Sequence, residues 1–265
     1  MDFLDRARPI LGESGLAVLR EKEIAFAGLG GVGGGAFLAL VRCGVRRFRL
    51  AENGVFDPPD MNRQAAAFGS TMDRTKLDVY IELARSINPD MEITAYPEGV
   101  TAGNIEEFLA GSDAHVSVID AEKGADVKRM TPALQERYGI PVFTCGAVGF
   151  GAILITFAPD GMKADEFWSI AWKDDAGGSI LPAAMRRNFS PRAMEGIRQG
   201  LTNGKVATTA IGGLASNALL ANEIIAYFLA DTDLAERAPV FAPRYVALDF
   251  MTLKMWEGDI TRPEK

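Results

Sequence analysis

The chain has 265 residues, a 48% hydrophobic content and a net charge of −7, which suits one large α/β domain or two small ones. The acidic balance argues against a nucleic-acid-binding surface, which needs clustered Lys and Arg. Cys43 and Cys145 form no CxxC pair and His115 is the single histidine, so cysteine zinc sites, disulfide frameworks and histidine-based triads are disfavoured.

The opening "MDFLDRARPI" carries acids and no apolar core, so no signal peptide is expected and a reducing cytoplasm is the expected location. Apolar, β-rich runs predict strands near 23–28, 46–51, 91–96, 115–119, 141–145 and 151–157. Helical patterns alternate with them near 32–43, 73–87, 103–110 and 124–138, the second closed by Pro89. This alternation predicts a Rossmann-like, mostly parallel sheet with helices on both faces. From 167 to 205 the pattern loosens into mixed charge, Gly and Pro, with one short helix near 191–200. It reads as a long surface excursion, the kind that covers a site. A helix over about 206–230 follows. Asn217, Asn222 and Glu223 interrupt its apolar run, so it reads as buried rather than membrane-spanning. "PRYVALDFMTLKMWEG" then alternates as a closing antiparallel hairpin. A single domain over 1–265, with a crossover at 165–205 covering the site, is the economical organisation.

"GLGGVG", from Gly28 to Gly33, directly follows the strand "EIAFA" and directly precedes a helix. Glycines there let the backbone approach a phosphate, and the helix N-terminus offers unpaired N–H groups and a positive dipole end. Glu52 ends the second strand, placed to accept hydrogen bonds from ribose hydroxyls. Dehydrogenases, flavoproteins and adenylating enzymes share this pattern. Asn62, Arg63 and Gln64 in "PPDMNRQ", followed by Lys76, separate them. A dinucleotide needs no such cations beside its pyrophosphate. A nucleoside triphosphate attacked at its α-phosphate does, because charge builds on the departing pyrophosphate.

In these residues the chain resembles the ThiF/MoeB/HesA family, relatives of ubiquitin-activating enzymes. The resemblance rests on "GLGGVGG", Glu52 where the family usually has Asp, "MNRQ", Lys76, the "INP" of Ile87 to Pro89, "VSVID" ending at Asp120, and "PVFTCGAVGFGAILITF". It covers roughly residues 5–255 and is weakest over 160–205. It implies a homodimer that binds ATP and Mg²⁺ and adenylates a carboxylate: the C-terminus of a ubiquitin-like or sulfur-carrier protein, or a peptide or small-molecule acid. By position it implies that Gly28, Gly30, Gly31 and Gly33 border the nucleotide and Glu52 holds the ribose. Asn62, Arg63, Gln64 and Lys76 would surround the phosphates, Asp120 would bind the metal, and Arg8, with Arg6 as the spare, would reach across the dimer.

Two departures stand out. Where the family shows D-x-x-D-N, this chain has "DAEKG", so Lys123 and Gly124 replace the second Asp and the Asn. Three readings stay open. Asp120, helped by Glu122 or Asp126, carries Mg²⁺; Lys123 supplies part of the metal's charge; or the domain binds nucleotide without turning it over. The chain also has no cysteine after Cys145, so it lacks a thioester nucleophile in the crossover and is expected to stop at the acyl-adenylate. Arg186, Arg187, Arg192 and Arg198 in the crossover could clamp a carboxylate but read as solvated charges, and His115 and the tryptophans read as packing residues. The expected function is ATP-dependent carboxylate adenylation. The alternatives are a non-catalytic nucleotide-binding partner subunit and an NAD- or FAD-dependent oxidoreductase.

Overall fold

The structure is a computed structural model that describes residues 2–119, 124–173, 180–202 and 207–262. Its strands are β1 (Glu23–Ala27), β2 (Arg47–Ala51), β3 (Glu92–Tyr96), β4 (Ala114–Ser117), β5 (Val142–Val148), β6 (Gly151–Phe157), β7 (Arg244–Asp249) and β8 (Lys254–Asp259). They form one eight-stranded sheet in the order β3-β2-β1-β4-β5-β6-β7-β8. Strands β1 to β5 pair in parallel. Strands β6, β7 and β8 extend the sheet antiparallel, so the expected fold class holds and its antiparallel part is larger than one hairpin.

The described helices are α1 (Arg8–Glu21), α2 (Gly33–Arg42), α3 (Lys76–Ile87), α4 (Ile105–Leu109), α5 (Ala125–Tyr138), α6 (Ala164–Ala171), α7 (Ala183–Arg186), α8 (Pro191–Thr202) and α9 (Ala210–Phe228). Alternate residues of β1 feed two cores, as the period of two requires. Ile24 and Phe26 face a core with Phe37, Leu40, Tyr80 and the α9 residues Leu220 and Ile224. Ala25 and Ala27 face the core of Ile105, Phe108, Val127 and Leu134, from α4 and α5. In the antiparallel half, Ala152 and Leu154 of β6 join the first core, whereas Ile153, Ile155 and Phe157 face a third.

That third core corrects the loose reading of 167–205. Phe167, Leu181, Met185, Phe189 and Ile197 are buried in it, so α6, α7 and α8 form a packed layer rather than a surface excursion. The physical reason is β6, which is buried along its whole length and therefore needs cover on both faces. Asp249, itself buried, ties this layer to the sheet by accepting from the Ser190 N–H at 2.7 Å.

Two further local differences have clear causes. Helix α1 was not foreseen, because Gly12 (φ 61) breaks it into two short segments and blurs the apolar spacing of Leu16 and Leu19. Helix α3 starts at Lys76 rather than 73, since Thr75 bridges Val55 and Asp73 takes a left-handed conformation (φ 62). Among the described residues no helix is long and apolar enough to cross a membrane.

His115 is a packing residue. It is buried on β4, its Nδ1 lies 3.1 Å from the Ala25 carbonyl, and Nε2 has no partner. Burial pushes its pKa down to about 4. Above pH 6.5 the folded and unfolded chains are both neutral there. Below it, the unfolded chain takes up a proton that the folded chain refuses, so stability falls until about pH 4. The loss over that window is on the order of 3 kcal/mol. NMR of the only imidazole in the chain should show no titration between pH 7 and 5. In His115→Gln, the part of the acid-side stability loss due to this residue should disappear from denaturant melts.

Candidate functional site

Strand β1 lies between β2 and β4, where the chain changes direction across the sheet, and the crevice at its carboxyl end is where open α/β sheets bind ligands. The Gly28–Gly33 turn sits there. Gly28 has φ +96, and a Cβ on it would come within 2.8 Å of the Val118 carbonyl oxygen. A Cβ on Gly33 would lie 1.9 Å from the Gly28 carbonyl oxygen, so α2 can start hard against β1 only because both residues are glycine. The first turn of α2 carries no acid, which leaves its N–H groups and positive dipole end for an anion.

Neighbouring elements brace the turn. Glu52 accepts from the Leu29 N–H and from the Gly54 N–H, one bond to each carboxylate oxygen, both at 2.7 Å. A carboxylate offers about four lone-pair sites, so Glu52 keeps acceptor capacity for hydroxyl groups. From α9, the Asn217 side-chain amide donates to the Gly31 carbonyl (3.0 Å) and the Val32 carbonyl (2.5 Å). Thr209 caps α9 by accepting from the Gly212 N–H at 3.1 Å, and its own hydroxyl donates to the Gly149 carbonyl at 2.8 Å. The β5–β6 turn is thereby fastened beside the site.

The cations converge on the same place. The Arg63 side chain lies over Gly31, with its Cγ 3.0 Å and its Nε 3.3 Å from where a Cβ would stand. Gln64 Nε2 comes within 4.0 Å of the corresponding point on Gly30. Lys76 begins α3 with its N–H donating to the Gly54 carbonyl (2.9 Å), and its Cδ lies 3.3 Å from the Cβ position of Gly54. Asn62 is an exposed spacer. Its side-chain oxygen accepts from Arg63 Nη1 at 2.9 Å, as the Pro59 carbonyl does at 3.0 Å, which orients the guanidinium.

The residue that sequence reasoning passed over is Asp60. It is only 5% exposed, yet it carries a carboxylate among these cations. Lys76 Nζ lies 2.9 Å from its Oδ2 and Arg63 Nη2 lies 3.7 Å from its Oδ1. Gln64 Nε2 donates to Oδ1, and the Asp57 N–H donates to Oδ2 at 3.3 Å. The available signal was "DPPD": the prolines start a tight 3₁₀ turn, Pro58–Asn62, whose third residue turns inward.

Other candidates stand elsewhere. Asp120, Glu122 and Lys123 lie outside the described residues. Among the described residues no group of three or more His, Cys, Asp or Glu could hold a metal ion. Arg8 opens α1 and pairs with Asp2 and Glu13 of its own chain. Its segment is anchored by Leu4 beside Gly44, at the end of α2 opposite the glycine turn. Cys145 is buried, its thiol directed to the Ser216 carbonyl, and burial pushes its pKa up, so it is no thiolate. Arg198 pairs with Glu195, and Arg186 donates to the Leu181 carbonyl.

A glycine turn at a sheet switch point, with an acid bridging it and two cations beside it, marks a Rossmann-type α/β protein. The ThiF family matches residues 4–264, and the chain belongs to that family. Among curated relatives, it is 31% identical over 140 residues to the tRNA threonylcarbamoyladenosine dehydratase of Escherichia coli K12, covering 53% of this chain and 52% of that protein. It is 28% identical over 162 residues to the sulfur carrier protein ThiS adenylyltransferase of the same strain, covering 60% of this chain and 63% of that one. The chain thus spans between about half and just under two thirds of these relatives. In fold it is similar to E. coli MccB, with a TM-score of 0.69, 15% identity, and coverage of 93% of this chain and 64% of MccB. MccB has also been solved with ATP.

The braces predict that Glu52→Ala weakens the turn before any ligand is considered. Losing an anionic acceptor for two backbone N–H groups should cost about 2 kcal/mol. A lower unfolding midpoint in urea with an unchanged slope would report it, and an unaltered midpoint would mean that Glu52 does not brace the turn.

Proposed function

We propose that the chain is an ATP-dependent adenylyltransferase that converts a carboxylate into an acyl-adenylate with release of pyrophosphate. The observation that carries this reading is the placing of Arg63 over Gly31 and of Lys76 beside Glu52 and Gly54, at the open end of α2. A dinucleotide needs no such cations beside its pyrophosphate, whereas a triphosphate attacked at its α-phosphate does, because charge builds on the departing pyrophosphate.

In the reaction, a carboxylate oxygen attacks the α-phosphorus, the bond to the bridging oxygen of pyrophosphate breaks, and pyrophosphate departs with the negative charge. The acid is already ionised, so no base is required and the neutral, buried His115 is no obstacle. The glycine turn and the first turn of α2 would hold phosphate oxygens, and Glu52 would accept from the ribose hydroxyls. Arg63 and Lys76 would take up the charge on the leaving group, with Gln64 and Asn62 holding their orientation. Asp120 remains the proposed ligand of Mg²⁺, which when bound would screen phosphate charge.

A homodimer is part of the reading. Met61 and, on α9, Ile211 and Leu214 expose apolar side chains on the two segments that meet where Gly213 packs against the Arg63 backbone. A second copy on that surface would cover them beside the site; the proposed reach of Arg8 across the dimer would need its segment, which pairs within its own chain at the opposite end of α2, to be rearranged. The acceptor is a carboxylate from one of two sources, a ubiquitin-like or sulfur-carrier protein or a small-molecule acid. The relative named as a ThiS adenylyltransferase supports the first.

ATP–pyrophosphate exchange with carrier proteins and carboxylate metabolites tests the reaction. Folded protein that binds ATP tightly, independently of Mg²⁺, and exchanges with none of them would point instead to a nucleotide-binding partner subunit. Arg63→Ala and Lys76→Ala should each lower exchange by about 10²–10³. Lys76→Ala should also lose stability, by up to about 3 kcal/mol, because it strands the buried Asp60 carboxylate. Arg63→Ala should leave the melt nearly unchanged. Equal turnover in both variants and the parent would move the site elsewhere.

A further inference from the structure

Among the described residues, the charged side chains gathered beside the turn are Glu52, Asp60, Arg63 and Lys76, two acids and two bases. A pocket built only to attract a polyanion would not carry a buried carboxylate at its centre. Here the Asp60 side chain is only 7% exposed and is held from four directions, by Lys76, Arg63, Gln64 and the Asp57 N–H. The two cations are held unequally. Lys76 is in direct contact at 2.9 Å, and Arg63 stands off at 3.7 Å with its side chain already laid over Gly31.

We propose that Asp60 is the resident counter-ion of the phosphate pocket, a positioning residue that takes the place of a phosphate oxygen in the empty site. It keeps Lys76 and Arg63 aimed at the turn when no nucleotide is present, and it competes with incoming phosphates for them. Lys76 has three donors and can retain Asp60 while presenting another to a phosphate. Arg63, held at the longer distance, transfers more fully. The competition grows with the charge of the ligand, so Asp60 lowers affinity for a triphosphate more than for a monophosphate. The pocket thereby releases spent polyphosphate more readily than a site with two unopposed cations. This inference rests on the reading that nucleotide phosphates occupy this turn.

The test is calorimetric titration of the full chain and of Asp60→Asn with ATP, ADP and AMP at one ionic strength. Asn keeps the shape and the acceptor for Gln64 but removes the charge. The expected result is ATP binding tighter by about tenfold or more, a smaller gain for ADP and little change for AMP, since each added phosphate charge feels the removed carboxylate. The salt dependence of ATP binding should steepen in the variant. A merely structural role would shift all three nucleotides by the same factor or weaken them together, and that outcome overturns the proposal while leaving the nucleotide site standing. If neither protein binds any of the three, the phosphate reading and this inference fall together. Circular dichroism checks the fold, and Asp60→Ser serves in place of Asp60→Asn if the latter does not fold.

Discussion

Gly33 starts α2 so close to the Gly28 carbonyl that even a methyl group would overlap it, and this contact sets the position of everything else at the crevice. Because the helix begins there, its first turn stands directly at the end of β1, with the Gly34 N–H already bonded back to the Gly30 carbonyl at 3.0 Å. Because the turn between is tight, its carbonyls point outward and need donors, which Asn217 supplies from the far end of the sequence. Its Leu29 N–H needs an acceptor, which Glu52 supplies from the end of β2. A turn of small residues, flexible in isolation, is held from two sides by polar groups on regular elements. That is the rigidity an anion site requires.

Electrostatics then constrains what can enter. Two cations beside a helix N-terminus attract phosphate, but the same cations unpaired in a half-buried pocket would repel one another and destabilise the empty protein. Asp60 eases that conflict, pairing with Lys76 at 2.9 Å and standing 3.7 Å from Arg63. On the proposed reading, a bound phosphate joins Asp60 as a partner of Lys76 and Arg63, which already stand beside the turn in the empty protein. Little reorganisation is then needed at the moment of binding, the condition under which preorganised charges help a transition state most.

Much of this was legible from the order of residues. The parallel strands, the glycine turn, Glu52, Arg63 and Lys76 each sit in short segments whose pattern has a local cause: β-period burial, a strand–helix junction, a strand end, a helix start. The placing of Arg63 near the glycine turn was read from its order after the turn and from charge chemistry, and then from the family resemblance, since nothing local ties residue 63 to residue 31. Asp60 was missed because an acid in a proline-rich loop looks solvated, and its burial depends on Lys76 arriving from α3. The layer formed by α6 to α8 was missed for a related reason. Its apolar residues are spaced too irregularly for one amphipathic helix, and their partners lie on β6 and β7, outside the segment. Helix α1 was hidden by the break at Gly12.

The division of the sheet suggests where specificity resides. The parallel half carries the turn, Glu52 and the cations, which on the proposed reading address the phosphates and ribose of ATP, the co-substrate common to every acid that is adenylated. The antiparallel half, with its own core under α6 to α8, contributes no charged group to that cluster among the described residues. It meets the site through the β5–β6 turn, where the Gly149 carbonyl accepts from Thr209 and a Cβ on Gly149 would approach Ala193 of α8 to 2.6 Å. A change in the α8 layer can therefore reach α9, and through Asn217 the glycine turn, without touching the cations. Within one family, relatives named for protein and for tRNA substrates match this chain. A fold that keeps the proposed phosphate site apart from the α6–α8 layer would allow such divergence, because that layer can change while the glycine turn and the charged groups beside it stay as they are.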